Sequence, residues 1–588
     1  MTRNISGDRW STLFRKWLAR PSYRVGRLAG LFAIALSLVL GCTSLSNFTA
    51  SQDAVHPARA ASADNTVGQL ALGTNLAGIA DWSSQIPFLD AFKFSRRWIT
   101  QCDDQPDCNS TWDTEEFDKL ALDEHGWVKS LPTPADPPKY TQVATLLFRD
   151  LKQYPGGQYV VLYDGEGTID YQFDGKKDEA ASRPGRDVIN VTPSMSGLLL
   201  VIKATDPNRT GNYLRNIHVV PIAYEQTFQQ QIFNPDFLER TRKFSALRFM
   251  DWMGTNNSGQ KEWSNRPQVD DASYAVKGVP IEIMVELANR LKANPWFNMP
   301  HQATDEYMTN FARTVKERLD PNLRVYVEFS NEVWNWQFQQ AHYALEQGKA
   351  RWGQDKGDAF AQWYGMRAAQ MSDLWKREFG DQNDRLISVI ATQTAWKGLE
   401  ESILKCSYWV AEGNRPCYQH GFTTYAITGY FSGNLGSPES QSTVQSWMRE
   451  QDGGMAKAFE QLGMNGTQGD SVADTANGFR YQAEVAKRHG LMLVAYEGGQ
   501  HITGRGGVEN NEAMVNFFTA LNRDPRMGEC YTDLLNQWKG AGGTLFMHFS
   551  DIVQPSKWGA WGALESVTET RSPKYDALMN FIDRNQLR

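Results

Sequence analysis

Residues 324–336 read R-V-Y-V-E-F-S-N-E-V-W-N-W, and the way this stretch is read decides the fold. Val325, Val327 and Phe329 alternate with Tyr326, Glu328 and Ser330, so it begins as a β-strand of β-branched and aromatic residues. At Ser330-Asn331-Glu332 the alternation gives way to three polar groups in a row. Such groups are costly inside a sheet unless the strand has reached an open end. Working outward, comparable runs lie at 246–252, 296–299, 386–391, 425–430, 492–496 and 544–549, with one more near Leu72 in L-A-L-G-T-N-L-A-G, residues 70–78.

Helical patterns fall between these runs. Pro280 suits a first turn before Ile283, Leu287 and Leu291, which share a face, and Asn294-Pro295 stops that helix. Thr304 suits an N-cap, with Asp305 and Glu306 in the first turn and Phe311, Val315 and Leu319 on one side. Strands alternating with helices imply a parallel sheet, and eight units imply an α/β chain closed into a (β/α)8 TIM barrel. Residues 66–100 then hold the first barrel strand and helix, and residues 233–588 the remainder of the barrel.

Between them, residues 101–232 change character. Short alternating runs at 158–163, 168–173, 188–191, 198–203 and 216–220 are punctuated by Gly, Pro and Asp, the pattern of an inserted antiparallel β-sandwich. Such a domain either binds carbohydrate or serves as a structural lid that shapes the cleft.

Residues 1–41 read as an export signal: Arg15, Lys16, Arg20, Arg24 and Arg27 precede an apolar run from Leu28 to Leu40, too short for a comfortable membrane span. Its end, V-L-G-C, resembles the bacterial lipobox. By that resemblance Cys42 carries a lipid and holds the protein to an outer or plasma membrane surface; the alternative is ordinary signal cleavage near the Ala-rich residues 58–63. Residues 42–65 read as a flexible tether. In an oxidising compartment Cys102 with Cys108, and Cys406 with Cys417, are close enough in sequence to close loops, leaving Cys530 over. A formal net charge of −7, with Lys and Arg spread along the chain, argues against a nucleic-acid partner.

The predicted strand ends carry Arg248 and Asp251, then His301, Asn331 and Glu332, Tyr430, Glu497, and finally His548 and Asp551. The run Y-V-E-F-S-N-E-V-W-N, together with A-Y-E-G-G around Glu497 and A-L-R-F-M-D-W around Arg248, resembles the clan A retaining glycoside hydrolases. The resemblance implies that Glu332 is the acid/base, Glu497 the nucleophile, Arg248 the residue that steadies it, and Asn331 a contact to the sugar. His301 and Tyr430 fall where that clan often has an active-site His and Tyr. F-M-H-F-S-D departs from it by lacking a Trp, for which Trp558 or Trp561 stands in; Asp251 and Trp334 complete the set of candidate substrate contacts. The same motifs are similar to exported bacterial proteins labelled cellulose-binding.

The chemistry implies that Arg248 holds Glu497 ionised while a dry, Trp334-flanked setting raises Glu332. No cofactor is expected, and no compact motif supports a metal site from His301, Asp305, His548 and Asp551. Two functions follow: an exported retaining glycosidase acting on a β-linked poly- or oligosaccharide, or a non-catalytic carbohydrate- or cellulose-binding lipoprotein of the cell envelope.

Overall fold

The computed structural model describes residues 70–103, 108, 110–132 and 139–585. The expected signal, Cys42 and the tether lie outside the described residues. Eight strands close into a parallel barrel: β1 (Ala71–Asn75), β2 (Ala246–Arg248), β3 (Asn294–Met299), β4 (Val325–Phe329), β5 (Leu386–Ala391), β6 (Thr424–Phe431), β7 (Met492–Gln500) and β8 (Leu545–His548), numbered within the barrel. Each pairs in parallel with the next, and β8 returns to β1 with Leu72 opposite Phe546. All eight fall on the predicted runs.

Two lengths differ. The second strand ends at Arg248 because the chain turns there: Phe249 N–H still reaches Trp296, but Met253 N–H returns to Phe249 and Gly254 N–H to Asp251. The seventh runs on to Gln500, which places Glu497 inside the strand.

Helices cover the outside. Ile281–Leu291 follows Pro280, and Asp305–Arg318 is capped by the Thr304 hydroxyl, which accepts the Tyr307 N–H at 3.2 Å. The expected helix after β1 is instead one 3-10 turn, Ala91–Phe94, held by the Asp90 carboxylate on the Phe92 N–H. It is short because the chain leaves at once for an antiparallel strand at Ile99–Gln101.

The residues between β1 and β2 form two four-stranded antiparallel sheets. One runs in the order Ile99–Gln101, Gln142–Leu147, Leu198–Thr205, Gly167–Phe173; the other runs Arg215–Pro221, Gly157–Asp164, Arg186–Val191, Gly175–Lys177. The alternation rule finds neither of the first two strands. Gln142–Leu147 is buried at every position, with Val143 and Leu147 in the main core and Ala144 and Leu146 in a second cluster with Ile99, so no polar face marks it. Sheets and barrel belong to one compact unit. Cys102–Cys108 and Cys406–Cys417 are disulfide-bonded, and Cys530 is free and buried.

Candidate active site

The site is organised by one guanidinium. Arg248, at the end of β2, is fully buried and spends all five N–H donors. Nη1 donates to Glu497 Oε1 at 2.8 Å and to Asn75 Oδ1 at 3.1 Å; Nη2 donates to Glu328 Oε2 and Asn331 Oδ1, both at 2.9 Å; Nε reaches Glu328 Oε2 at 3.3 Å. Its faces lie against Trp296 and Tyr496, with ring centroids 5.6 and 5.2 Å from Cζ. Four strands, β1, β2, β4 and β7, thus meet on one side chain.

A bulge in β7 aims the next two groups. Ala495 pairs with Ile427 and Glu497 with Thr428, so Tyr496 is an extra residue opposite a one-step partner. Strict alternation sends neighbours 496 and 497 to opposite faces, and the bulge lifts that constraint. Tyr496 Oη donates to Glu332 Oε1 at 3.0 Å, while Glu497 reaches Arg248 and accepts Tyr430 Oη on Oε2 at 2.8 Å. Each carboxylate therefore has its own phenol. Burial and the adjacent carboxylates push both phenols far above the usual tyrosine range, so both remain donors.

The end of β4 is strained in a way that presents Glu332. Ser330 and Glu332 both have positive φ, 61° and 40°, which is costly for residues with a Cβ and is concentrated at functional sites. Asn331 between them is buried; its Nδ2 donates to Asn256 Oδ1 at 3.1 Å, and its carbonyl accepts Gln340 Nε2 at 2.9 Å. Its amide is thus largely occupied within the protein, by Arg248 on Oδ1 and Asn256 on Nδ2. Glu332 is half-buried and takes Asn335 Nδ2 on Oε2 at 2.9 Å.

Burial falls on the other carboxylate from the one expected. Glu497 is only 6% exposed, and its desolvation outweighs Arg248. The guanidinium is shared with Glu328, and the charges of Glu332 and Asp251 add to the upward push, giving a pKa of about 8. Arg248 therefore orients Glu497 without holding it in the low carboxylate range.

The pH dependence of stability follows from signs. Burial raises Asp251 to about 6 and Asp551 to about 7, so with Glu497 the folded protein keeps protons that the unfolded chain loses above about pH 4. Stability therefore falls as pH rises through 6, 7 and 8. His301 and His548, lowered by burial to about 4 and 3, act in the opposite sense and reduce stability as pH drops below about 6.5. The thermal midpoint is expected to decline between pH 6.5 and 8.5, with a shallower decline in Glu497→Gln; identical slopes would count against the buried acid.

Of the other predicted residues, Tyr430 joins the site and several do not. His301 is buried, its ring edge-on to Tyr343 and its Nδ1 without a partner; neither carboxylate is among its described hydrogen-bond partners. Asp251 stands on the turn after β2, its Cβ close to Gly78. Trp334 is 7% exposed and packs edge-on against Tyr364, which makes it a packing residue with little face for a sugar. Trp558 is exposed under Lys557, whereas Trp561 packs against Tyr430, His501 and Phe549. Trp561 is thus in ring contact with the tyrosine that donates to Glu497. The four residues considered for a metal have separate partners: Gln302 for His301, Arg367 for Asp305, Tyr531 for His548 and the Ala77 N–H for Asp551.

Glu328, Asn75 and Tyr496 were not among the predicted residues. Glu328 was visible in principle. In a closed barrel the apolar set Val325, Val327, Phe329 faces the helices, so the polar set must point inward, where a carboxylate needs partners. Trp296 Nε1 and Asn298 Nδ2 supply them at 3.0 and 2.8 Å alongside Arg248.

No protein-family model matches the chain, and no curated protein matches it either. Among solved structures it is similar to a 4-O-α-L-rhamnosyl-β-D-glucuronidase from Fusarium oxysporum at 10% identity and TM-score 0.32, covering 57% of this chain and 60% of that one. It is similar to a β-glucosidase from Trichoderma harzianum at 13% and 0.34, covering 59% and 86%, and to an exo-β-1,4-mannosidase from an Opitutaceae bacterium at 11% and 0.33, covering 62% and 56%. The match spans less than two thirds of the first and third of these proteins. At such scores the likeness adds nothing to the strand pairings that define the barrel.

Proposed function

We propose that the protein is an exported retaining glycoside hydrolase that cuts a β-linked poly- or oligosaccharide by double displacement. One observation carries the proposal: two carboxylates, one just past β4 and one on β7, are each fixed by a tyrosine of their own, with Arg248 tied to the one on β7. In the first step a Glu497 oxygen attacks the anomeric carbon while Glu332 passes its proton to the departing glycosidic oxygen. In the second, Glu332 takes a proton from water, whose oxygen attacks the same carbon and releases Glu497. Attack requires the ionised form of Glu497, which the Arg248 and Tyr430 donors favour against its burial.

Export is supported by the V-L-G-C run ending at Cys42 and by the two disulfides. Among the described residues no helix is long and apolar enough to cross a membrane. We take the two antiparallel sheets as a sandwich, since the Tyr171 hydroxyl of one donates to the Asp187 carboxylate of the other at 2.8 Å.

Incubation with 2-fluoro-glycosides or cyclophellitol-type probes, followed by peptide mapping, is expected to place the label on Glu497. A label on Glu332, or none from a broad panel, would overturn the assignment. One observation favours the second reading, a carbohydrate-binding envelope protein: Trp112, in the loop after Thr111, and Phe173, at the end of the strand Gly167–Phe173, are exposed and nearly parallel, 6.1 Å apart at 17°. That reading predicts retention on a glycan without sugar release, lost in Trp112→Ala.

A further inference from the structure

The turn after Glu332 does more than end a strand. Asn335 uses its Nδ2 on Glu332 Oε2 and its Oδ1 to accept the Gln337 N–H at 3.2 Å, so the residue between them, Trp336, is held in register with the carboxyl. The Trp336 carbonyl is pinned from the other side by His342 Nε2 at 2.9 Å. Its ring lies 5.1 Å from that of Phe360 at 67°, and Phe360 lies 6.0 Å from Trp396 at 41°.

This array has a rigid base and a wet top. Phe360 is buried in the first turn of the helix Ala359–Phe379, whose preceding Asp358 accepts hydrogen bonds from Tyr408, Ser402 and Gln362. Trp396, in the loop after β5, is fixed by Gln393 Oε1 on its N–H at 2.6 Å, and the same loop is tied to β6 through Thr394 and Thr428. Yet Trp336 and Trp396 are 42% and 48% exposed. Two large rings are anchored from below and left open above, a few residues from a carboxyl that faces the same rim.

We propose that Trp336 and Trp396 seat the leaving-group sugar, so that the substrate carries at least one further neutral sugar ring beyond the bond that is cut. The inference rests on the reading of Glu332 as proton donor. A donor must reach the glycosidic oxygen, which places the departing sugar on the donor's side of the bond, over the turn that Asn335 locks. A pyranose offers the matching chemistry: one C–H face that an aromatic ring can cover, and hydroxyls at its edge for the Gln337, Gln339 and Gln393 rim.

The test uses the full chain and two donors of the same sugar. β-Glycosyl fluorides of glucose, xylose and mannose lack a leaving-group ring, and the corresponding β-1,4 tri- to hexasaccharides have one. In Trp336→Ala and Trp396→Ala the ratio of oligosaccharide to fluoride kcat/KM is expected to fall about tenfold, with Trp336→Phe retaining most of it. An unchanged ratio in an active enzyme overturns the sugar seat and leaves the hydrolase standing. If wild type cleaves neither donor but is retarded in gels containing β-glucan, xylan or galactomannan, and the Trp variants are not, the hydrolase reading fails and the rings remain a sugar-binding surface. Absence of both cleavage and retardation overturns both. A change of oligomeric state in the Trp variants would assign the rings to a second copy of the chain and overturn the seat.

Discussion

Glu497→Gln is expected to fold as wild type and to lose hydrolysis by on the order of 10⁴-fold or more in kcat, as when one member of a catalytic unit is removed. The amide oxygen still accepts from Arg248 or Tyr430, so the positioning of β7 survives, but an amide does not displace a leaving group from an anomeric carbon. Glu332→Gln should fall comparably on substrates with poor leaving groups, because those need the proton. The two roles separate with azide and an activated aryl glycoside. In Glu332→Ala, azide replaces the water that attacks the glycosyl-enzyme and should give the β-azide. In Glu497→Ala it enters from the vacated nucleophile's face and should give the α-azide. NMR of the products reads the anomer directly; interchanged products would interchange the roles.

Arg248→Met is expected to destabilise the fold by roughly 3–5 kcal/mol, the cost of breaking a buried ion pair from one side. Met fills similar space between Trp296 and Tyr496 but leaves Glu328 and Glu497 without their cation, and Asn75 and Asn331 without a donor. Urea unfolding at constant m-value measures the loss. Two features make the result specific. Pairing the change with Glu328→Gln should recover part of the loss, because contacting residues are not additive. The loss should also shrink at pH 5, where an unpaired buried carboxyl is more readily protonated. A loss below about 1 kcal/mol would mean that Arg248 is not the keystone its five hydrogen bonds make it.

The barrel was legible because each strand is short, apolar and punctuated, and because Thr304 and Pro280 mark helix starts by local chemistry. Glu332, Arg248, Asn331 and Tyr430 were legible as polar residues at or just past strand ends, and Glu497 as a carboxylate expected past a strand that in fact runs on to Gln500. What escaped had non-local causes. Tyr496 reaches Glu332 only because of a register shift between β6 and β7, and no single-strand pattern encodes a shift against a partner. Gln142–Leu147 was lost because burial on both faces erases alternation. The electrostatic assignment missed because it counted the charge of Arg248 and left out the burial of Glu497, whose desolvation outweighs that charge.

The two left-handed residues that flank Asn331 have a meaning for how this chain could drift. At 332 the backbone conformation suits glycine, and a side chain there is held against that local preference by the hydrogen bonds from Tyr496 and Asn335. On the proposed reading, position 332 is a place where chemistry and local backbone preference pull apart, and variants chosen only for heat resistance should shed activity there first.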